Sequence, residues 1–277
     1  SKATPPELAL PVLVGKKSII VGDHRQLPPM VDGEEIKDVL KSIGENKLAN
    51  TLSHKVFETS QFERLFENID QSLKGTFNTQ YRMHPHINDV IAQFYVEDGG
   101  LFCGLPLDET EHNDFNKWNS RYHGLSFKNF ISPDIHTIWV NVDTPEVKEG
   151  TSRINIGEID AINSVLKAIK LSEGKNEFDN WLKDFPIEEQ QIGVVSFYGK
   201  QIQLINKMIK ENHSDLPIRL STVDKFQGME RNIMIVSMVR SNKLAHNIYQ
   251  SADFEIYPEL GYEHQTSLGF AESPNRL

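Results

Sequence analysis

Short runs of β-branched and aliphatic residues recur along the chain, each bounded by polar positions: Ser18 to Asp23, His136 to Val142, Gln191 to Phe197, Ile218 to Val223 and Asn232 to Val239. Runs of this length and makeup predict strands. Between them apolar residues return at helical spacing. Ile159, Ile162, Val165, Leu166 and Ile169 fall on one face of a helix, and Ile202, Leu204, Ile205, Met208 and Ile209 on one face of a second. From residue 136 onward the predicted order is strand, helix, strand, helix, strand, strand. Ile192 to Phe197 and Ile233 to Val239 are apolar throughout rather than alternating. That pattern predicts strands covered on both faces, as in the parallel sheet of an α/β fold.

Residues 1–77 hold one strand pattern, a polar stretch from Val31 to Gln61, and a short helical pattern at Phe62, Leu65 and Phe66. This is too little for a complete α/β domain, so a boundary is expected near residue 76, the first part being the tail of a domain. Residues 98–135 and 243–267 are rich in Asn, Glu, His and Gly without sustained periodicity, and read as insertions or loops.

Composition narrows the class. The chain has 277 residues, 38% hydrophobic and 25% charged, as ordinary globular domains do. Its longest apolar stretch, Leu8 to Val14, is interrupted by Pro11 and falls short of the roughly 18 residues that cross a membrane. No basic segment leads into an apolar one at the start, and the single cysteine, Cys103, has no partner for an internal disulfide. An intracellular protein, cytoplasmic or nuclear, is expected. The net charge of −10 argues against steering of the whole molecule towards nucleic acid. The acidity is uneven, however: 16 of the 39 acidic residues lie in 78–181, so a local groove on either flank stays open.

Three segments carry chemistry. In Ser18-Ile-Ile-Val-Gly-Asp-His-Arg-Gln-Leu-Pro-Pro29 a strand pattern ends at Gly22, and Asp23 and Gln26 emerge where parallel sheets place their ligand-binding loops. Gln26 has the amide that orients a water or senses a terminal phosphate; a plain Pro-terminated turn is the competing reading. In Gln80-Tyr-Arg-Met-His-Pro85, Pro85 suits the first turn of a helix, and Arg82 offers a five-donor fork to phosphate oxygens or else a surface ion pair. In Ser221-Thr-Val-Asp-Lys-Phe-Gln-Gly-Met-Glu230, Gly228 permits close backbone approach to a ligand and Glu230 suits a ribose hydroxyl; a glycine turn between strands is the alternative.

Together and in this order, the three segments resemble the later motifs of superfamily 1 helicases, in the branch of the nonsense-mediated-decay helicase, senataxin and their bacterial relatives. Gly22 to Pro29 looks like motif III and Gln80 to Pro85 like motif IV. Ile192 to Gln201 is similar to the strand-loop-helix segment before motif V, and Thr222 to Glu230 with Val239-Arg240-Ser241 looks like motif V and its extension. The resemblance implies an α/β, RecA-like P-loop NTPase fold, a parallel sheet with flanking helices. Residues 1–77 would be the end of the first RecA-like domain and 78–277 most of the second. It implies ATP with Mg2+ as cofactor and single-stranded DNA or RNA as partner. By the same resemblance Gln26 couples the γ-phosphate to motion, Arg82 is an arginine finger, Tyr81 stacks on adenine, Gly228 lines the nucleotide and Glu230 holds the ribose. Ser196, Tyr198 and Thr222 face the single strand, and no metal ligand is assigned.

Some family features are not in the sequence. No Gly-x-x-x-x-Gly-Lys-Ser/Thr occurs. Ser1 to Glu7 looks like the residues just after the Walker B motif, and Leu268 to Leu277 like the lead-in to motif VI. The chain is therefore expected to be an inactive piece of an ATP-dependent helicase. Two other readings stand beside this: a non-catalytic module docking proteins through its acidic 98–181 region, and a RecA-like ATPase that does not unwind strands.

Overall fold

The computed structural model describes residue 3 and residues 5–26, 33–51, 60–105, 114–115 and 121–241. The stretch 243–267, Leu27 to Pro29 of the first motif, and Leu268 to Leu277 lie outside them. The chain divides after Phe77 into two compact units.

In the first unit α1 (Pro5–Val14) starts on proline, whose missing N–H costs nothing at a helix start. The polar stretch after residue 31 holds two helices that its sparse apolar residues do not announce, α2 (Gly33–Ser42) and α3 (Asn46–Thr51). The aromatic pattern at 62–66 is a helix, α4 (Gln61–Asn68), capped by the Ser60 hydroxyl, which accepts from Glu63 N at 3.0 Å. Ser18 to Asp23 forms no strand. A strand needs a neighbour for its backbone groups, and no strand occurs among the described residues of this unit; Ile19 is 93% exposed.

The second unit opens with β1 (Thr79–Gln80), α5 (Pro85–Ala92) and β2 (Phe102–Cys103), β1 and β2 pairing in parallel. The hairpin β3 (Val147–Glu149) and β4 (Ser152–Ile154) leads into α6 (Ile156–Lys170) and α7 (Lys175–Leu182). Then come β5 (Ile192–Ser196), α8 (Gly199–Asn212), β6 (Ile218–Thr222), the short α9 (Val223–Phe226) and β7 (Ile233–Ser237). The last three strands form a parallel sheet in the order β6-β5-β7. Helices and parallel strands alternate, which is the α/β class expected.

The buried face of α6 is the predicted one: Ile159, Ile162, Leu166 and Ile169, with Leu166 fully inaccessible. It packs in one cluster with Ile205, Met208 and Ile209 of α8 and with Ile192 and Val194 of β5. Burying one such side chain stabilises by about 1.5–3 kcal/mol, so this cluster dominates the unit. Leu125 and Ile131 belong to it too, so part of 98–135 contributes to the core.

Two further strand expectations are corrected. Residues 137–140 are exposed and make no strand, since no ladder joins them to another segment among the described residues, and Trp139 is 80% exposed. In β7 burial alternates, with Met234 and Val236 exposed, so only β5 is buried at every position. β7 borders the sheet, and Met234 and Val236 on its second face are about half exposed. No helix among the described residues is long and apolar enough to cross a membrane.

Candidate functional site

After β1 the chain reverses in three residues, and the side chain of Gln80 holds the reversal. Its Oε1 accepts from Arg82 N at 2.8 Å and Met83 N at 2.7 Å, while Nε2 donates to Met83 O at 3.1 Å. His84 caps α5 through Nδ1, which accepts from His86 N at 3.1 Å, and Pro85 takes the first helical position. From the other side Arg121 donates through Nη2 to Tyr81 O at 2.9 Å and through Nε to Arg82 O at 2.8 Å. Burial lowers the Arg121 pKa, opposed by Cys103 and the Glu230 carboxylate. The backbone of Tyr81 and Arg82 is thus fixed while both side chains stay exposed. Gly104 lies against the Tyr81 ring, where a Cβ would collide with it.

Arg82 and Glu230 are 148 positions apart in sequence, yet Arg82 Nη2 lies 2.5 Å from Glu230 Oε1. Their side chains are 68% and 45% exposed. The link from α9 to β7 brings Glu230 there. Met229 N donates to Phe226 O at 3.1 Å, and Gly228 has φ +83°, with open space where a Cβ would point. Glycine is therefore needed for the backbone conformation, not for room.

Gln26 belongs to the other unit. It is exposed, and its Nε2 donates to Asp23 Oδ2 at 2.8 Å while Asp23 Oδ1 accepts from Arg25 N at 2.9 Å. His24 stacks on Phe66 of α4, with centroids 4.7 Å apart, and anchors this turn.

Ser196, Thr222 and Ser237 lie in register at the carboxyl ends of the three parallel strands. The burial of Ser196 and Tyr198 departs from the open face expected for them. Ser196 is fully inaccessible, and its Oγ makes no hydrogen bond among the described residues. Tyr198 packs with Phe197, Val239, Val223 and Met238, and its hydroxyl accepts from Arg240 Nη1 at 3.2 Å. Both sit where the fully covered β5 runs into α8, so their side chains turn inward. Thr222 is half-buried.

Beneath them lies a polar network that no motif signals. Glu146, whose side chain is 3% exposed, joins Arg153 Nη1 at 3.0 Å through one oxygen and Arg240 Nε at 2.9 Å through the other, which also accepts from Ser241 N. Gln201 accepts from Asn155 N at 3.0 Å and donates to Asn155 O at 3.0 Å and Ser237 Oγ at 3.1 Å. Glu158 accepts from Ser237 Oγ at 2.5 Å and Val239 N at 2.8 Å. Burial raises the Glu158 pKa against these two bonds. Val239 has φ +68°, a strained conformation for a β-branched residue, and it directs Arg240 into the network. Only the bond partners mark Glu146 and Glu158.

Residues 57–277 match the family described as an AAA domain. The chain is similar to the DNA polymerase alpha-associated DNA helicase A of Saccharomyces cerevisiae, 26% identical over 88% of this chain and 33% of that protein. It is similar also to the ATP-dependent helicase NAM7 of the same yeast, 27% identical over 100% of this chain and 23% of that protein. The ATP-dependent helicase upf1 of Schizosaccharomyces pombe is 27% identical over 100% of this chain and 24% of its own length. The chain thus spans a third or less of these relatives.

Proposed function

Starting from a chain that belongs to the AAA domain family, in the branch of superfamily 1 helicases that includes the nonsense-mediated-decay helicase, we propose that it contributes the RecA-like half-site which an ATP-dependent helicase closes over its nucleotide. The observation that carries this reading is the exposed pairing of Arg82 with Glu230. An exposed ion pair is worth about 0–1 kcal/mol, so it separates at little cost. Glu230 would then accept from a ribose hydroxyl, and the freed Arg82 would turn its planar fork to phosphate oxygens. Gln80 and Arg121 keep the Arg82 backbone still while its side chain moves, so little orienting entropy is lost at the reaction. Tyr81 offers a ring face to the base.

ATP would come with Mg2+, whose charge would offset that of the phosphates. The sequence has no phosphate loop of the Gly-x-x-x-x-Gly-Lys-Ser/Thr form, so this chain adds a cation and binding contacts but not those ligands. Alone it hydrolyses no ATP on this reading. Gln26 carries an amide suited to a terminal phosphate, and Thr222, half-buried at a strand end, would touch a single strand of DNA or RNA. Tyr198 acts through Arg240, holding the loop after β7, rather than by stacking on a base.

The test is Arg82→Ala in the full-length helicase. Turnover should fall by on the order of 10³-fold with the KM for ATP little changed, because an arginine finger acts on transition-state charge. Unchanged turnover would leave Arg82 as a surface ion-pair residue and end the proposal.

A further inference from the structure

We propose that His84, His86 and His136 form a site for one borderline-soft divalent transition metal, with zinc the ion whose preferences it meets. One ring nitrogen from each histidine lies within 4.8 Å of one from each of the others. A tetrahedral ion bonded to imidazoles at about 2.0–2.1 Å needs those nitrogens about 3.4 Å apart, so the rings must close by a little over an ångström. His84 and His86 are fixed at the start of α5, where His84 is buried and His86 exposed. His136 comes from a segment with no strand partner and is able to supply that movement.

His136 also supplies the reason to expect a ligand. Both its ring nitrogens are buried, and neither makes a hydrogen bond of normal geometry, although the carbonyls of Arg121 and Asp134 lie close enough to act on it. Buried polar nitrogens left without a partner destabilise a fold, and coordination removes that cost for one of them. His123 is not a ligand. Its Nε2 meets Ile135 O at 3.1 Å and its Nδ1 accepts from Leu125 N at 3.1 Å, so both its nitrogens are engaged and it stands edge-on to His136.

The rings of His84 and His136 are stacked, with centroids 3.4 Å apart and planes 4° from parallel. A lone pair lies in its ring plane, so an ion cannot bond to both in that arrangement. Binding therefore turns the His136 ring off the stack. Three neutral imidazoles leave the fourth position to water on the exposed His86 side, and imidazole donors suit zinc better than calcium or magnesium. The bound ion would tie the 121–136 segment to the start of α5, two residues from Arg82. The site does not depend on the nucleotide reading.

The experiment uses the untagged 277-residue chain, stripped by chelator, titrated with Zn2+ against a competing indicator and separately with Co2+ in the visible range. The expected result is one ion per chain, with Co2+ giving the intense band of four-coordinate geometry. His86→Ala and His136→Ala should each weaken binding by at least about tenfold, since loss of even an outer-shell partner costs that much. Zn2+ should raise the Tm of the parent and not of the variants. His86 is exposed, so His86→Ala decides the matter if His136→Ala does not fold. Absence of stoichiometric binding, or binding unchanged in His86→Ala, overturns the site.

Discussion

At Arg82 the backbone is held from two sides while the side chain pairs with an exposed partner, so the two parts answer to different substitutions. Arg82→Ala should change the stability of the chain by less than about 1 kcal/mol, because an exposed pair contributes little. Arg121→Ala removes two hydrogen bonds from a charged, half-buried donor and should cost about 1.5–3 kcal/mol. Urea unfolding of both variants checks the contrast, and faster amide exchange at Met83 in Arg121→Ala would locate the loosening. Glu158 carries the pH dependence. Its folded pKa is raised, so the stability tied to its protonated form is present below its ordinary value of 4.5 and is lost as pH rises through the folded value. The urea midpoint of the parent, taken relative to Glu158→Gln, should fall as pH rises through and above 4.5; parallel profiles would show Glu158 unshifted.

At the scale of elements, periodicity is a good guide wherever one face of a helix meets the core. Leu166 and Ile205 lie on the predicted faces of α6 and α8, and both are fully buried. Strands are less legible, because a strand is defined by its neighbours: 18–23 and 136–142 have strand-like composition and no ladder, while the true strand β5 lies between two others. Gln201 shows the same limit within a helix. It falls on the apolar face of α8, yet it is fully buried and bonds both backbone groups of Asn155. Gln201→Leu should therefore cost about 2–4 kcal/mol despite filling the space, since it leaves buried backbone groups unpaired. A thermal or urea melt matching the parent would show that another group satisfies Asn155.

For the whole molecule, charge sets the terms of binding. With net charge −10, and with Tyr198 turned inward, the chain should hold labelled single strands weakly, and the affinity should fall steeply with salt. Thr222→Ala should weaken that binding at low salt, whereas Tyr198→Phe, which keeps the ring, should not reduce it through stacking. Fluorescence anisotropy at several salt concentrations measures both, and salt-independent binding would contradict the electrostatic account. The sequence by itself determined the α/β class, the amphipathic helices and the three motif segments, because these depend on local order: apolar spacing, glycine and proline positions, and short strings of chemically distinctive residues. Only the tertiary structure decided that Arg82 meets Glu230, that Arg121 reaches back to hold the Arg82 backbone, and that Glu146 and Glu158 anchor Arg240 and Val239. It also decided that Ser196 and Tyr198 face inward. Each of these depends on which distant segments share a surface, and that is fixed by how the chain minimises exposed apolar area and unpaired polar groups across the whole fold, not by any neighbourhood in sequence.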